Sequence, residues 1–417
     1  MQNFRIFVSR RTAFVRGPLF FGHMRFSDII GHDEIKRRLR ETVRNGRISH
    51  ALLFTGGEGA GALPLALAYA QYVNCRHRSE EDSCGECPEC YRMQRLEHPD
   101  CHYIYPVNVS KEAVVTGRAD EKPRSEQFVH LWRQAVPRTG GYLTEQEWYA
   151  ELGIENQQGI INKNDANELV RQMGFKSFEG GYKTVVVWLP ERLHEAAANT
   201  LLKLVEEPPE KTLFLFVSVE PERIIATIRS RTQIVALPGV PDEVIARELT
   251  ARQNIPPEEA ERIARRAQGS WGTALRLATG QNVSETEHQD RFIRLMRLCY
   301  QQKYIELFDW AEEMAPLGRE AQKQFCTAAL GIVRECYLTG IGLPELAYTD
   351  PAREQFCRNF APYVSHITVE GFVAEFELLL AHIRQNGNPK ILFTHFAMSV
   401  CKIIGAARAA LKGQPNR

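Results

Sequence analysis

Three strand-length apolar runs, set apart by helical segments, constrain this chain more than any other feature. They are Ala51-Leu52-Leu53-Phe54-Thr55, Lys183-Thr184-Val185-Val186-Val187-Trp188-Leu189 and Leu213-Phe214-Leu215-Phe216-Val217-Ser218. A strand that is apolar at nearly every position is covered on both faces, so these runs predict a parallel sheet between two layers of helix. The intervening segments agree. Asp33 to Arg44 carries Ile35, Leu39 and Val43 at four-residue spacing, one stripe on a helix, with Asp33 and Glu34 suiting its first turn. Leu63 to Val73 and Ala196 to Val205 read as further helices, and Tyr103 to Pro106 as extended chain. Residues 107–159 are mostly polar with little periodicity beyond a helix near Ser125 to Gln134, and read as a surface insert.

After Pro238 the strands stop. Glu243 to Ala251, Glu258 to Ala267 and Thr273 to Ala278 are short helical segments, and from Thr286 onward every segment is helical. The fold class predicted is therefore α/β, with an α/β core over 24–237, a small helical domain over 238–282 and a helical bundle over 283–417. Residues 1–23 hold Arg5, Arg10, Arg11 and Arg16 without an acid and read as a disordered extension upstream of a start at Met24, with a transit peptide as the alternative. No apolar run approaches the roughly 18 residues of a membrane helix, so no membrane partner is expected. Lys plus Arg is 52 against 51 for Asp plus Glu, a net charge of +1, which excludes the broad basic field of a protein that grips nucleic acid alone.

Chemistry concentrates in four places. Gly56-Gly57-Glu58-Gly59-Ala60-Gly61-Ala62-Leu63 lies between a strand and a helix, where a P-loop would sit, but Ala62 replaces its lysine and Leu63 its magnesium-binding hydroxyl. The second strand ends Trp188-Leu189-Pro190-Glu191, with no carboxylate at the strand end and Glu191 read as a solvated acid. Cys75, Cys84, Cys87 and Cys90 place four soft ligands in sixteen residues, a set that suits tetrahedral Zn²⁺ in a closed structural site within a module spanning about 75–101. Cys101, His77, His98 and His102 are nearby substitutes, and an iron–sulfur cluster is the other group that accepts four thiolates. Ser230-Arg231-Thr232 is the fourth place, where an arginine alone would read as a solvated or salt-bridged surface residue.

Together these residues resemble the clamp-loader branch of the AAA+ superfamily. The resemblance rests on Phe26-Ser27-Asp28-Ile29-Ile30-Gly31, Ile48-Ser49-His50 with the strand after it, the glycine loop, the four cysteines and His98-Pro99-Asp100. It resumes at Glu179-Gly180-Gly181-Tyr182-Lys183, Ala198-Asn199-Thr200-Leu201-Leu202-Lys203-Leu204-Val205-Glu206-Glu207-Pro208-Pro209, the Ser-Arg pair and Gly269-Ser270, covering about Met24 to Leu277. It implies an AAA+ parallel-sheet domain with an inserted Cys₄ zinc module, a helical lid and a C-terminal helical collar. The ATPase members carry Lys-Thr after the glycine loop, acids at the strand end and a lid arginine, where this chain has Ala62-Leu63, Trp188-Leu189 and Gly272. One branch of the family lacks ATP binding yet keeps a Ser-Arg-Cys element whose arginine reaches a neighbour's ATP, and here Thr232 replaces that cysteine.

The resemblance thus implies a cytoplasmic, non-hydrolysing subunit that binds no ATP and lends Arg231, with Ser230, in trans. Its expected partners are gamma/tau-type ATPases and a delta subunit in a hetero-oligomeric ring, with the sliding clamp and primer-template DNA met through the complex. A motor subunit of the same loader would show lysine at 62 and a carboxylate near 188. A zinc-containing nucleic-acid-binding protein would show basic residues about the cysteines, where Glu80, Glu81, Asp82, Glu86 and Glu89 stand instead.

Overall fold

The computed structural model describes residues 24–109, 123–154, 157–280, 283–343 and 351–412, so the extension at 1–23 and two stretches of the 107–159 insert lie outside the described residues. Among the described residues the expected parallel sheet has five strands: β1 (Ala51–Thr55), β2 (Cys101–Ile104), β3 (Lys183–Trp188), β4 (Thr212–Ser218) and β5 (Gln233–Ala236). Their order is β2-β3-β4-β1-β5, and every pairing is parallel, with Ala51 opposite Phe214 and Thr184 opposite Leu213. β5 escapes the apolar-run criterion because it is a short edge strand whose side chains are mostly exposed.

Continuous apolar runs serve two cores because neighbouring residues of a strand point to opposite faces. Leu52 and Phe54 of β1, with Leu213, Leu215 and Val217 of β4, face α1 (Asp33–Arg44) and α2 (Ala62–Asn74). Ala51, Leu53, Phe214 and Phe216 face the other way, onto Ile161, Leu169, Leu201 and Val205. α2 is buried along its whole length, as a helix of Ala, Leu and Tyr under a sheet should be.

The described part of the insert is not surface decoration. Phe128 leads into α4, the fourth helix here after α3 (Pro88–Gln94), which spans Val129–Arg138 and is followed by α5 (Glu145–Glu151). Trp132, Trp148 and Tyr149 from these helices are buried in the first core. The Trp132 ring stacks on Tyr105 at 4.3 Å and meets Trp148 at 5.4 Å and Trp188 at 5.3 Å. A few large aromatics spaced irregularly among polar residues carry no period, yet each buries roughly 150–250 Å². Trp132→Ala should therefore lower unfolding free energy by about 3–5 kcal/mol, read from urea midpoints. Unchanged stability would return the insert to the surface.

On the other face, α6 (Lys163–Met173) packs against α7 (Glu195–Glu206), and a short α8 (Ala226–Arg229) precedes β5. Beyond the sheet, α9 (Asp242–Gln253), α10 (Pro257–Ala267) and α11 (Trp271–Ala278) share a core of Val240, Ile245, Leu249, Ile263 and Trp271 that also takes in Ile30 and Tyr142. The remaining helices are α12 (Val283–Gln301), α13 (Tyr304–Met314), α14 (Arg319–Gly340), α15 (Pro351–Phe360), α16 (His366–Arg384) and α17 (Pro389–Lys412). They close over Phe292, Trp310, Phe325, Phe376 and Phe396. Contrary to the sequence expectation, α17 is long and apolar enough to cross a membrane from Pro389 to Leu411. Phe393, Phe396, Val400 and Ile404 from it fill the bundle core, so its apolar length is that of a central helix.

Candidate functional site

The glycine loop joins β1 to α2 as expected. Gly59 and Gly61 have φ of 73° and 107°, values only glycine adopts without strain, and Gly61 caps α2. The loop is occupied from above by α11. The Gly272 N–H donates to the Gly59 carbonyl at 3.1 Å, and the Ser270 hydroxyl donates to the Glu58 carbonyl at 2.9 Å. A Cβ on Gly59 would stand 2.4 Å from Ser270 Oγ, and one on Gly272 would stand 3.0 Å from Gly59 Cα. The glycine at 272, where the resemblance puts an arginine in ATPase members, is therefore what lets the helix sit down on the loop.

The insert closes a second side. Gly141 approaches Pro64 so closely that a Cβ would lie 2.9 Å from the Pro64 Cβ, and a Cβ on Gly61 would lie 3.5 Å from the Tyr142 ring. What remains is a cavity of 60 Å³ lined by Gly57, Leu63, Tyr142, Glu145 and Trp188 among others, against the several hundred Å³ of ordinary ligand pockets. Ala62 and Leu63 are themselves buried. Two arginines near the loop are already engaged, Arg192 by both oxygens of Glu145 at 2.7 Å and Arg276 by Glu147 at 3.4 Å. Tyr142, Glu145 and Glu147 were invisible as site residues in the sequence, since the insert carries no motif.

At the end of β3, Trp188 is 3% exposed and packs into the aromatic cluster, and Leu189 turns the chain with φ of 58°. Glu191 is not the solvated acid expected. It is buried, its Oε1 accepts the N–H groups of Val219 and Glu220 at 3.1 and 3.2 Å, and burial pushes its carboxyl up. The carboxylate thus ties the turn after β3 to the turn after β4, a structural task a surface reading could not anticipate.

Ser230 and Arg231 follow α8 and precede β5 at the sheet edge. The Arg231 side chain is 39% exposed and forms an ion pair with Glu206 at 2.6 Å, with Nη1 donating to the Thr227 carbonyl at 3.0 Å. Arg231 precedes β5, whereas the glycine loop follows the parallel neighbour β1, so the two lie at opposite ends of the sheet.

Cys75, at the end of α2, meets Cys84, Cys87 and Cys90 around the start of α3, with all four sulfurs within 4.8 Å of one another. Cys75 Sγ lies 3.6 Å from Cys84 Sγ, and Cys84 Sγ lies 3.9 Å from Cys90 Sγ. A tetrahedron with metal–sulfur bonds of about 2.3 Å has edges of about 3.8 Å, so the spacing fits a four-thiolate metal shell. The N–H groups of Cys84 and Cys87 each donate to a cluster sulfur at 3.3 Å, support suited to thiolates. The Cys75 thiol is pulled down to about 5, chiefly by its hydrogen bond with Cys90, whose own thiol the same contact pushes up. His77, His98, His102 and Cys101 stay outside the cluster.

The family model described as "DNA polymerase III, delta subunit" matches residues 31–241. The DNA polymerase III subunit delta' of Escherichia coli is 28% identical over 286 residues, 68% of this chain and 68% of that protein. Its counterpart in Yersinia pestis is 34% identical over 197 residues, 47% of this chain and 43% of the relative. The DNA polymerase III subunit tau/gamma of Haemophilus influenzae is 25% identical over 269 residues, 63% of this chain but 32% of the relative.

Proposed function

We propose that this chain, which belongs to the DNA polymerase III delta-subunit family, is a clamp-loader subunit that holds no nucleotide and lends Arg231 to ATP bound by an adjacent motor subunit. The observation that carries the reading is the seating of α11 on the glycine loop, with Gly272 bonded to Gly59 and 60 Å³ left beside it. A triphosphate needs those loop amides free, a lysine for its β and γ phosphates and a carboxylate-held magnesium. Here the seated helix donates to the Gly59 and Glu58 carbonyls and packs over the loop, and Ala62, Leu63 and Trp188 stand at the positions of the other groups. Such a subunit is a rigid wedge. Its contribution to hydrolysis is positional, a guanidinium presented at the exposed sheet edge where phosphate oxygens of the next subunit can meet its fork of donors.

The four-cysteine set would hold Zn²⁺, which supplies a covalent brace to the excursion between α2 and β2. The partners in this reading are gamma/tau-type ATPases and delta in the cytoplasm, with clamp and primed DNA engaged by the assembled ring. Purification with its native partners, followed by the mass of the intact complex, tests it: the chain should be found in a ring with ATPase subunits, and recovery as a lone chain would oppose it. Ala62→Lys with Leu63→Thr should create no ATP hydrolysis in the isolated chain, because strand-end acids and an open loop are still missing. Turnover by that double variant would show that sequence loss alone, not the seated helix, silences the site.

A further inference from the structure

Arg231 does not stand free at the sheet edge. Its Nη2 contacts Glu206 Oε1 at 2.6 Å, while Nη1 donates to the Thr227 carbonyl at 3.0 Å and the Ser230 hydroxyl at 3.3 Å. The last two partners belong to α8 and the residue just after it, immediately before the arginine, whereas Glu206 comes from an element distant in sequence. Glu206 is the final residue of α7, followed by Glu207. A carboxylate at a helix C-terminus faces the negative end of the helix dipole, an unfavourable place that a paired cation relieves. The Pro208-Pro209 step after it stiffens the chain that leaves the helix. The backbone that carries the acid is thus fixed by the helix end, and the carboxylate contacts one end of the guanidinium.

On the reading that Arg231 acts in trans, we infer that Glu206 is its positioning residue: the carboxylate holds one end of the guanidinium at the sheet edge, so that the donors these contacts leave over meet a neighbour's phosphate without a search among rotamers. A long arginine side chain has many rotamers to lose on binding, and a helix-borne acid removes part of that freedom before the subunits meet. The arginine's role follows from its charge and shape, and the acid's role follows only through the arginine. The two are therefore coupled in turnover, whereas a merely structural surface pair would be coupled in stability alone.

The test is a double-mutant cycle on ATP turnover by the loader reconstituted from this full chain and its partner subunits, with ring formation and thermal midpoint measured on every variant. Glu206→Ala should lower kcat about 3- to 10-fold with KM unchanged, and Glu206→Gln, which keeps an acceptor at the same reach, should recover most of the rate. Combined with Arg231→Ala, Glu206→Ala should add no further loss. Normal turnover by Glu206→Ala beside a slowed Arg231→Ala would overturn the inference and leave the trans-acting arginine standing. Multiplying losses in the double variant would also overturn it, since they assign Glu206 an independent role. Normal turnover by Arg231→Ala in an intact ring would overturn both readings together.

Discussion

In a loader reconstituted with its partner subunits, Arg231→Ala is expected to slow ATP hydrolysis by about 10³-fold or more at the site this arginine faces, the range supplied by arginines acting in trans. Charge accumulates on the γ-phosphate oxygens in the transition state, and a guanidinium already in place stabilises it without reorganising solvent. The same substitution should leave folding and ring assembly nearly unchanged, because what it removes from the free chain is one exposed ion pair, worth about 0–1 kcal/mol, and two exposed local hydrogen bonds. Arg231→Lys should also fail. It keeps the charge but loses the planar fork and shortens the reach, so full recovery by lysine would point to a diffuse electrostatic effect. Single-turnover hydrolysis by wild-type, Ala and Lys rings, each checked by sizing, separates these outcomes.

Purified without chelator, the protein should carry one zinc per chain, and Cys87→Ser should lose it. Zinc binding is worth on the order of 10–16 kcal/mol in small zinc modules, where it is largely folding free energy, so the excursion between α2 and β2 should loosen when the ion is gone. The α/β core should survive. It is held by the sheet and its two apolar faces, while the cysteines form a separate small cluster. Elemental analysis gives the metal content, and hydrogen exchange should show protection lost around residues 75–101 alone. Metal-free protein with the same exchange pattern would contradict the assignment.

The parts of the fold legible in the sequence were those with a local signature. Val185 to Val187 and Leu213 to Val217 announced central strands because both faces of the sheet are covered, and the cysteines announced a ligand cluster because four thiols fall within one short loop. The metal reading rests on that spacing, whereas the trans role of Arg231 rests on the resemblance. What was hidden depended on tertiary contact. β5 is short and exposed, so Gln233 to Ala236 gives no apolar run. Trp132 and Trp148 sit in polar sequence and reveal their burial only when they meet Tyr105 and Trp188. Glu191 reads as a surface acid until the N–H groups after β4 are found on its carboxylate. The pairing of Glu206 with Arg231 joins residues from two elements and has no sequence pattern.

The central claim is that nucleotide is met from a neighbour and never held in this chain's own loop. Calorimetric titration of the isolated protein with Mg-ATP tests it most directly, with the metal content confirmed beforehand so that a loosened cysteine module cannot distort the result. The seated α11 and the absent lysine predict no saturable heat through millimolar nucleotide. A micromolar dissociation constant with one site per chain would contradict the account.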